Sequence, residues 1–279
     1  MENIYKTFKT IENNGVLNVT FDFQPINVLG IPMMQDIDLL CNYLKSNRQI
    51  KVVVFDSSIP NFFIAHADID MLQNLRTQIV PKNQIQINDL AKVLDNLSKL
   101  PQVTIAKIDG FARGGGHEFA LACDLRYATY NSTFMQMEVG MGILPCGGGS
   151  SRLAKIVGLG NALEIILSAR DFSAVEAEKY GSINKAFDKE HLDRFVYELA
   201  NRISQFSSYS IEACKKTIHN SLDVSTEESL KEETYELYYA TSKTPAVKRF
   251  KYAAQTNFQN NLYNQENFET LLMNLQNIK

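Results

Sequence analysis

No stretch of this sequence approaches the roughly 18 consecutive apolar residues that a membrane-spanning helix needs. The start, Met1 to Gly15, is polar and lacks the apolar segment of a secretory leader, so a cytoplasmic location is expected. Basic residues are not in excess either: 28 Lys and Arg stand against 31 Asp and Glu, a net charge of −3. That balance leaves no electrostatic footprint for nucleic acid, whose phosphates call for a concentrated basic face. Cysteine is sparse, and Cys41, Cys123, Cys146 and Cys214 lie scattered without CxxC spacing. Neither a zinc site nor a disulfide framework is indicated, and reduced, buried thiols are expected. No repeat of fixed period runs along the chain, which excludes a solenoid of identical units.

What is present is ample apolar material, 45% of the 279 residues, enough for one main core with a smaller element attached. Tyr5 to Glu12 and Val16 to Phe21 flank Asn13-Asn14-Gly15, the turn chemistry of a β-hairpin. Met33, Ile37, Leu40, Cys41 and Leu44 recur at helical spacing and precede the β-branched run Val52 to Phe55. A second helical stripe, Ile87, Leu90, Ala91, Leu94 and Leu97, ends at Pro101 before a strand over Val103 to Ile108. Alternation of this kind predicts an α/β fold with mostly parallel strands. After about Phe187 the strand signals fade. Helical stripes follow at Leu192, Phe195, Val196, Leu199 and Ile203, then over Thr226 to Ala240. A docked helix is expected in Gln255 to Lys279, where Phe268, Leu271, Leu272 and Leu275 keep helical spacing. The division is therefore a core over 1–190 and a helical region over 191–279.

Chemistry concentrates in three segments. In the first, Lys107 to Asp124, a strand runs into Gly114, Gly115 and Gly116 and then a short apolar helix beginning near His117. Glycines admit a ligand close to the backbone, and the helix start aims free N–H groups and the positive dipole end at it. A phosphate or a developing oxyanion suits such a place; a tight strand-to-helix turn accounts for the same residues. Neither GxxxxGK[ST] nor GxGxxG occurs, which disfavours a nucleotide. Upstream, Asn61 to Ile69 follows the Val52 strand and can bring a second backbone donor beside the first. Downstream, Phe134 to Gly149 carries Glu138 just ahead of another glycine-rich turn. Glu118 reads either as an acid/base group or as a carboxylate stabilised by the short helix's dipole. His66 and His117 adjoin the proposed donors, and two histidines without further ligand spacing make no metal site.

Taken in order, these segments resemble the crotonase superfamily (enoyl-CoA hydratase/isomerase) pattern of an A-G-A-D-I loop, a G-G-G-x-E loop and a P-E-x-x-x-G-x-x-P-x-x-G-G segment. Asn27-Val28-Leu29 and Ser173 to Gly181 also resemble family features, so the likeness spans roughly Asn27 to Phe187. The resemblance implies a spiral of repeated β-β-α units with C-terminal helices that assemble a homotrimer or a dimer of trimers. It implies an oxyanion hole built from the backbone N–H groups of Ala67 and Gly115, with Ala65, His66, Asp68, Ile69, Gly114 and Gly116 around the substrate. Glu118 and Glu138 become the catalytic pair, one for water and one for the α-proton. The activity implied is hydration or dehydration of an acyl-CoA or acyl-carrier-protein thioester, with no cofactor beyond the coenzyme A of the substrate. Alternatives are an isomerase using Glu138 alone, a dehydratase/thioesterase resembling diffusible-signal-factor synthases, or a non-catalytic acyl-CoA binding protein. Three positions depart from the pattern: His66 for a frequent glycine, Met137 for the proline before the glutamate, and Asp70 for a lysine that would meet the CoA phosphates.

Overall fold

The computed structural model describes residues 4–256 and 262–278, which form two compact units, 1–200 and 201–279. The first opens with strands β1 (Phe8–Asn13) and β2 (Val16–Phe21), antiparallel with Asn13 opposite Val16. Asn14 and Gly15 between them both hold positive φ, +50° and +78°, the backbone of a two-residue hairpin whose twist matches its strands. Helix α1 (Ile31–Ser46) carries its proline in the first turn and buries Met33, Ile37, Leu40, Cys41 and Leu44. Then come β3 (Val52–Ser57), β4 (Phe62–Ile64), a single-turn helix α2 (Ile69–Leu72) and α3 (Asp89–Ser98). The Asn88 side chain caps α3 by accepting from the Ala91 N–H, so the helix starts later than its apolar stripe; Ile87 lies outside it, exposed.

The middle of the unit contains β5 (Val103–Ile108), β6 (Phe111–Arg113), α4 (Gly115–Ala122), β7 (Leu125–Thr129) and β8 (Thr133–Met135). It continues through α5 (Gly149–Ser168), kinked at Gly158, to β9 (Phe172–Ser173), α6 (Ala174–Tyr180) and β10 (Lys185–Phe187). Two sheets result. The larger runs β1-β2-β3-β5-β7-β10 and the smaller β4-β6-β8-β9, with every pairing parallel except β1–β2 and β8–β9. Each successive pair, β3 and β4, β5 and β6, β7 and β8, gives its first strand to the large sheet and its second to the small one. That is the spiral of β-β-α turns expected. Because β4, β6 and β8 are parallel neighbours, the loops leaving their C-terminal ends emerge side by side, the place where open parallel sheets bind ligands.

Helix α4 sits between the layers with all eight residues buried. Phe119 meets Phe21, Phe55 and Phe63 at ring-centroid distances of 5.3, 5.1 and 6.0 Å, a cluster drawn from both sheets. The buried Arg126 guanidinium donates to Cys123 O at 2.6 Å and to Ser182 O at 2.8 Å, closing the helix's C-terminal end. Cys41 and Cys123 are buried as expected, but Cys146 and Cys214 are exposed. Cys146 precedes a glycine turn and Cys214 lies on the outward side of a helix, positions that the scattering of cysteines along a sequence does not distinguish from a core.

Helix α7 (Lys189–Ser204) runs from the first unit into the second. There α8 (Ser208–Asn220) packs on α9 (Thr226–Lys243), with Tyr209 edge-on to Tyr239 and Lys216 paired with Glu232 at 2.7 Å. Helix α10 (Ala246–Gln255) follows, then α11 (Leu262–Glu266) and α12 (Phe268–Asn274). The one helix expected over Gln255 to Lys279 is thus two short ones broken at Asn267, and the remainder of that span, 257–261 and 279, lies outside the described residues. Among the described residues no helix is long and apolar enough to cross a membrane.

Anchoring of α4 by one ring is directly measurable. Truncation in Phe119→Ala should cost about 3–5 kcal/mol in urea unfolding, as for other buried aromatics; a loss below about 1 kcal/mol would show that the helix is held elsewhere.

Candidate functional site

Ala67 owes its placement to a buried asparagine. Asn27, fully buried with φ +55°, accepts the Phe23 N–H through Oδ1 at 2.8 Å and donates through Nδ2 to Ser57 Oγ and Phe63 O at 2.8 and 3.0 Å. It fixes the segment that pairs with the 65–68 loop, where Leu29 N–H donates to His66 O at 2.8 Å and Asp68 N–H to Leu29 O at 3.1 Å. In this parallel bridge Leu29 uses the groups flanking Ala67, so the Ala67 N–H points the other way and has no backbone acceptor among the described residues.

Gly115 opens α4, and its N–H is one of the first-turn groups a helix leaves unpaired. No side chain caps that end, and Glu118 lies in the first turn, where the helix dipole acts on its carboxyl. A Cβ built on Gly115 would lie 3.2 Å from Ala67 Cβ and 3.3 Å from Ala67 N, which puts the two backbone donors next to each other. Gly116 is where glycine is obligatory: a Cβ there would stand 2.0 Å from the Ile64 carbonyl oxygen, so any side chain would drive α4 off the small sheet.

These donors face a cavity of about 250 Å³ lined by His66, Ala67, Ile69, Gly114, Gly115 and Glu138 from the expected set. Met137, named as a departure, lines it too, and Leu72, Gln73, Leu75, Met141 and Ile143 complete the wall. Those five were missed. Glu138 and Met141 begin and end a 3-10 turn, in which residues three apart eclipse, so that spacing was the available signal. Four expected residues do not line the cavity. Ala65 is a joint of the backbone, donating to Asn27 O and accepting from Arg113 N–H. Asp68 caps α2 through Oδ1 on the Asp70 N–H at 2.9 Å, and Gly116 packs on β4. Glu118 lies in the layer behind the wall, 2% exposed.

The two carboxyls have different surroundings. Glu118 Oε1 accepts the Gly149 N–H at 2.8 Å, and the Cys146–Gly149 turn wraps its head so closely that a Cβ on Gly147 would lie 2.7 Å from Oε2. Burial raises its pKa, opposed by the Gly149 and Gly147 N–H groups and by the Arg152 charge. Glu138 is 8% exposed and its Oε2 has no hydrogen-bond partner among the described residues. Burial first, and then the Glu118 charge, push it up to about 7. A Cβ on Gly114 would sit 2.8 Å from Glu138 Oε1, so this carboxyl borders the glycine that precedes the donor.

The histidines divide as well. His66 donates from Nδ1 to Ala67 O at 2.8 Å, which orients its ring along the cavity wall. His117 is fully buried between the Phe134 and Phe172 rings, bonded to Gln136 Nε2 at 3.0 Å and Ser182 Oγ at 3.1 Å. Burial, with the Arg126 charge, drops its pKa to about 3, so it stays neutral and serves as a clamp between α4 and the strand leading to Glu138.

The enoyl-CoA hydratase/isomerase family model matches residues 11–262. A short-chain-enoyl-CoA hydratase of Clostridium acetobutylicum is 30% identical over 235 residues, 83% of this chain and 89% of that protein. The mitochondrial methylglutaconyl-CoA hydratase of Mus musculus is 29% identical over 202 residues, covering 71% and 63% of the two chains. The crystal structure of an enoyl-CoA hydratase from Bacillus anthracis superposes with a TM-score of 0.80 over 90% of this chain and 97% of that one; at 23% identity the likeness is one of fold.

A carboxyl whose folded pKa lies above its unfolded value favours folding while protonated and loses that advantage as pH rises. For Glu138 the contribution is complete below about 4.5 and gone above about 7, a difference on the order of 3 kcal/mol. Glu138→Gln should therefore be the more stable protein at pH 8 and close to wild type at pH 4.5. A site-resolved NMR titration placing the Glu138 midpoint near the ordinary carboxyl value would contradict this.

Proposed function

The chain belongs to the enoyl-CoA hydratase/isomerase family, and on that premise we propose that it is a hydratase-type lyase, adding water across the α,β-double bond of an acyl-CoA thioester or removing it in reverse. The observation that carries the reading is the pair of adjacent backbone donors, Ala67 and Gly115, on the wall of an apolar cavity that also presents Glu138. The thioester oxygen accepts from both N–H groups, which draws charge out of the double bond and stabilises the enolate; one such donor is typically worth about 10² to 10³ in rate. Water attacks the β-carbon as its proton passes to Glu118, the carboxyl held by N–H donors and near Arg152. The π electrons move onto the thioester, and the enolate takes a proton at the α-carbon from Glu138, whose pKa near 7 suits both forms at neutral pH. Proton return from Glu118 to Glu138 closes the cycle. So written, the reaction needs no resident metal or cofactor.

A second reading has its own support. Glu138 lines the cavity and Glu118 does not, which favours a double-bond isomerase that shuttles one proton on Glu138 alone.

The two carboxyls separate these readings. Glu138→Gln should abolish hydration of crotonyl-CoA and also deuterium exchange at the α-carbon of a bound acyl-CoA. Glu118→Gln should lose hydration by at least about 10² while retaining α-exchange. If Glu118→Gln hydrates as wild type does, the water-handling role is wrong; if it isomerises but the wild type never hydrates, the isomerase reading takes over. Absence of turnover in every protein would leave a binding protein.

The family resemblance extends to assembly, and we propose a homotrimer or a dimer of trimers built through the helical region. Tyr235, Leu237 and Tyr238 on α9 are exposed, a cluster that burial against a neighbouring copy would cover. Light scattering at micromolar concentration should give a multiple of 31.5 kDa, and a monomer mass would overturn it.

A further inference from the structure

The cavity's lining says more than that it is apolar. Ile69, Leu72, Leu75, Met137, Met141 and Ile143 supply the side-chain wall, and Gln73 and His66 add an amide and an imidazole. Among the described residues the one carboxyl of the lining is Glu138, and no lysine or arginine reaches it. Three of the apolar residues are substantially uncovered, Ile69 at 40%, Leu75 at 50% and Met141 at 61%, so they form a rim that an incoming apolar chain would bury. An apolar cavity of about 150 Å³ takes a six-carbon ring, so about 250 Å³ holds roughly ten heavy atoms, the thioester group among them.

Resting on the hydratase reading above, we propose that the acyl group this site takes is an uncharged aliphatic chain of about six to eight heavy atoms, and that acyl groups ending in a carboxylate are rejected. Two terms act on such a carboxylate together. It would leave water for a wall with no lysine or arginine among the described residues to pair with it, and the Glu138 carboxyl beside it offers no cation and is a like charge whenever ionised. Its terminal methyl counterpart meets only aliphatic carbon and thioether sulfur, and the two methionines adapt to chains of somewhat different length. A chain longer than the cavity must run out past Leu75 and Met141 into water and gains nothing from its extra carbons.

Binding tests this apart from turnover. Calorimetry with saturated butyryl-, hexanoyl-, octanoyl- and dodecanoyl-CoA should show affinity rising to octanoyl and flat beyond it. Adipyl-CoA, which is hexanoyl-CoA with a terminal carboxylate, should bind at least about a hundredfold more weakly than hexanoyl-CoA. Leu75→Arg, at a half-exposed position where the fold has little to lose, should narrow that gap at least about tenfold by supplying the missing cation. Met141→Trp should weaken octanoyl-CoA more than butyryl-CoA. Equal affinity for adipyl- and hexanoyl-CoA, or a gap unmoved by Leu75→Arg, overturns the proposal. If the binding pattern appears and no unsaturated thioester is hydrated, the reading of the reaction fails and the reading of the pocket stands. If the unsaturated thioesters are hydrated regardless of a terminal carboxylate, the pocket reading alone fails.

Discussion

Helix α4 is short enough that in water it would not form, and it has no solvent-facing side; every one of its eight residues is buried. Its stability is borrowed from its surroundings. Phe119 is held in a ring cluster shared by both sheets, Gly116 lies against the Ile64 carbonyl, and the Arg126 guanidinium takes up the carbonyls at the far end. His117 ties the first turn to Gln136 and Ser182. What is left over is the N-terminal end, open on the cavity with its N–H groups uncapped. Buried unpaired donors are costly. In the function proposed above a ligand oxygen takes the donors up, and the rigid frame means that they need not be reoriented when it does. The rest of the site is arranged around this fixed point, because the neighbouring parallel strands β4 and β8 deliver the Ala67 and Glu138 loops to either side of it.

The burial that fixes the donors also sets the acids apart. Glu138 is on the cavity wall and Glu118 in the layer behind it, and burial raises both. Glu118 recovers part of that penalty from the Gly149 N–H and the Arg152 charge, whereas Glu138 Oε2 has no partner among the described residues and feels Glu118 as a like charge. His117, fully buried and beside Arg126, is kept neutral. Two buried carboxyls with raised pKa values and a neutral imidazole are thus distinguished by their partners as well as by depth.

Much of this was legible in the residues because it rests on local rules. Asn14-Gly15 demanded a hairpin and got one, the β-branched runs at Val52 and Val103 became central strands, and strand signals ceased at Phe187 as the pattern implied. The glycine segment was legible as a strand entering a short helix, though the helix starts at Gly115 rather than near His117. What could not be read depends on contacts between segments distant in sequence. Nothing local to Glu118 reveals that the turn at Gly147 to Gly149 closes over it and takes it off the cavity wall, and nothing local to Ala65 reveals that both its backbone groups are spent on neighbouring loops. The end of the chain misled for the opposite reason: an apolar stripe persists across Asn267, where the backbone breaks the helix in two.

The same distinction separates what fixes the reaction from what fixes the substrate. The donors at Ala67 and Gly115 are main-chain groups, and they survive any substitution that keeps the backbone path. His66 can therefore replace a glycine beside one of them without removing it, and Met137 can replace a proline while Glu138 still faces the cavity. Leu75 and Met141 hold no such structural duty; they are exposed, on a loop and a 3-10 turn outside the buried core. Their replacement costs the fold little and alters directly what the cavity admits. In the proposed function the donors and Glu138 are tied to the packed interior, while the residues proposed to select the acyl chain sit on a rim with little packing to constrain them.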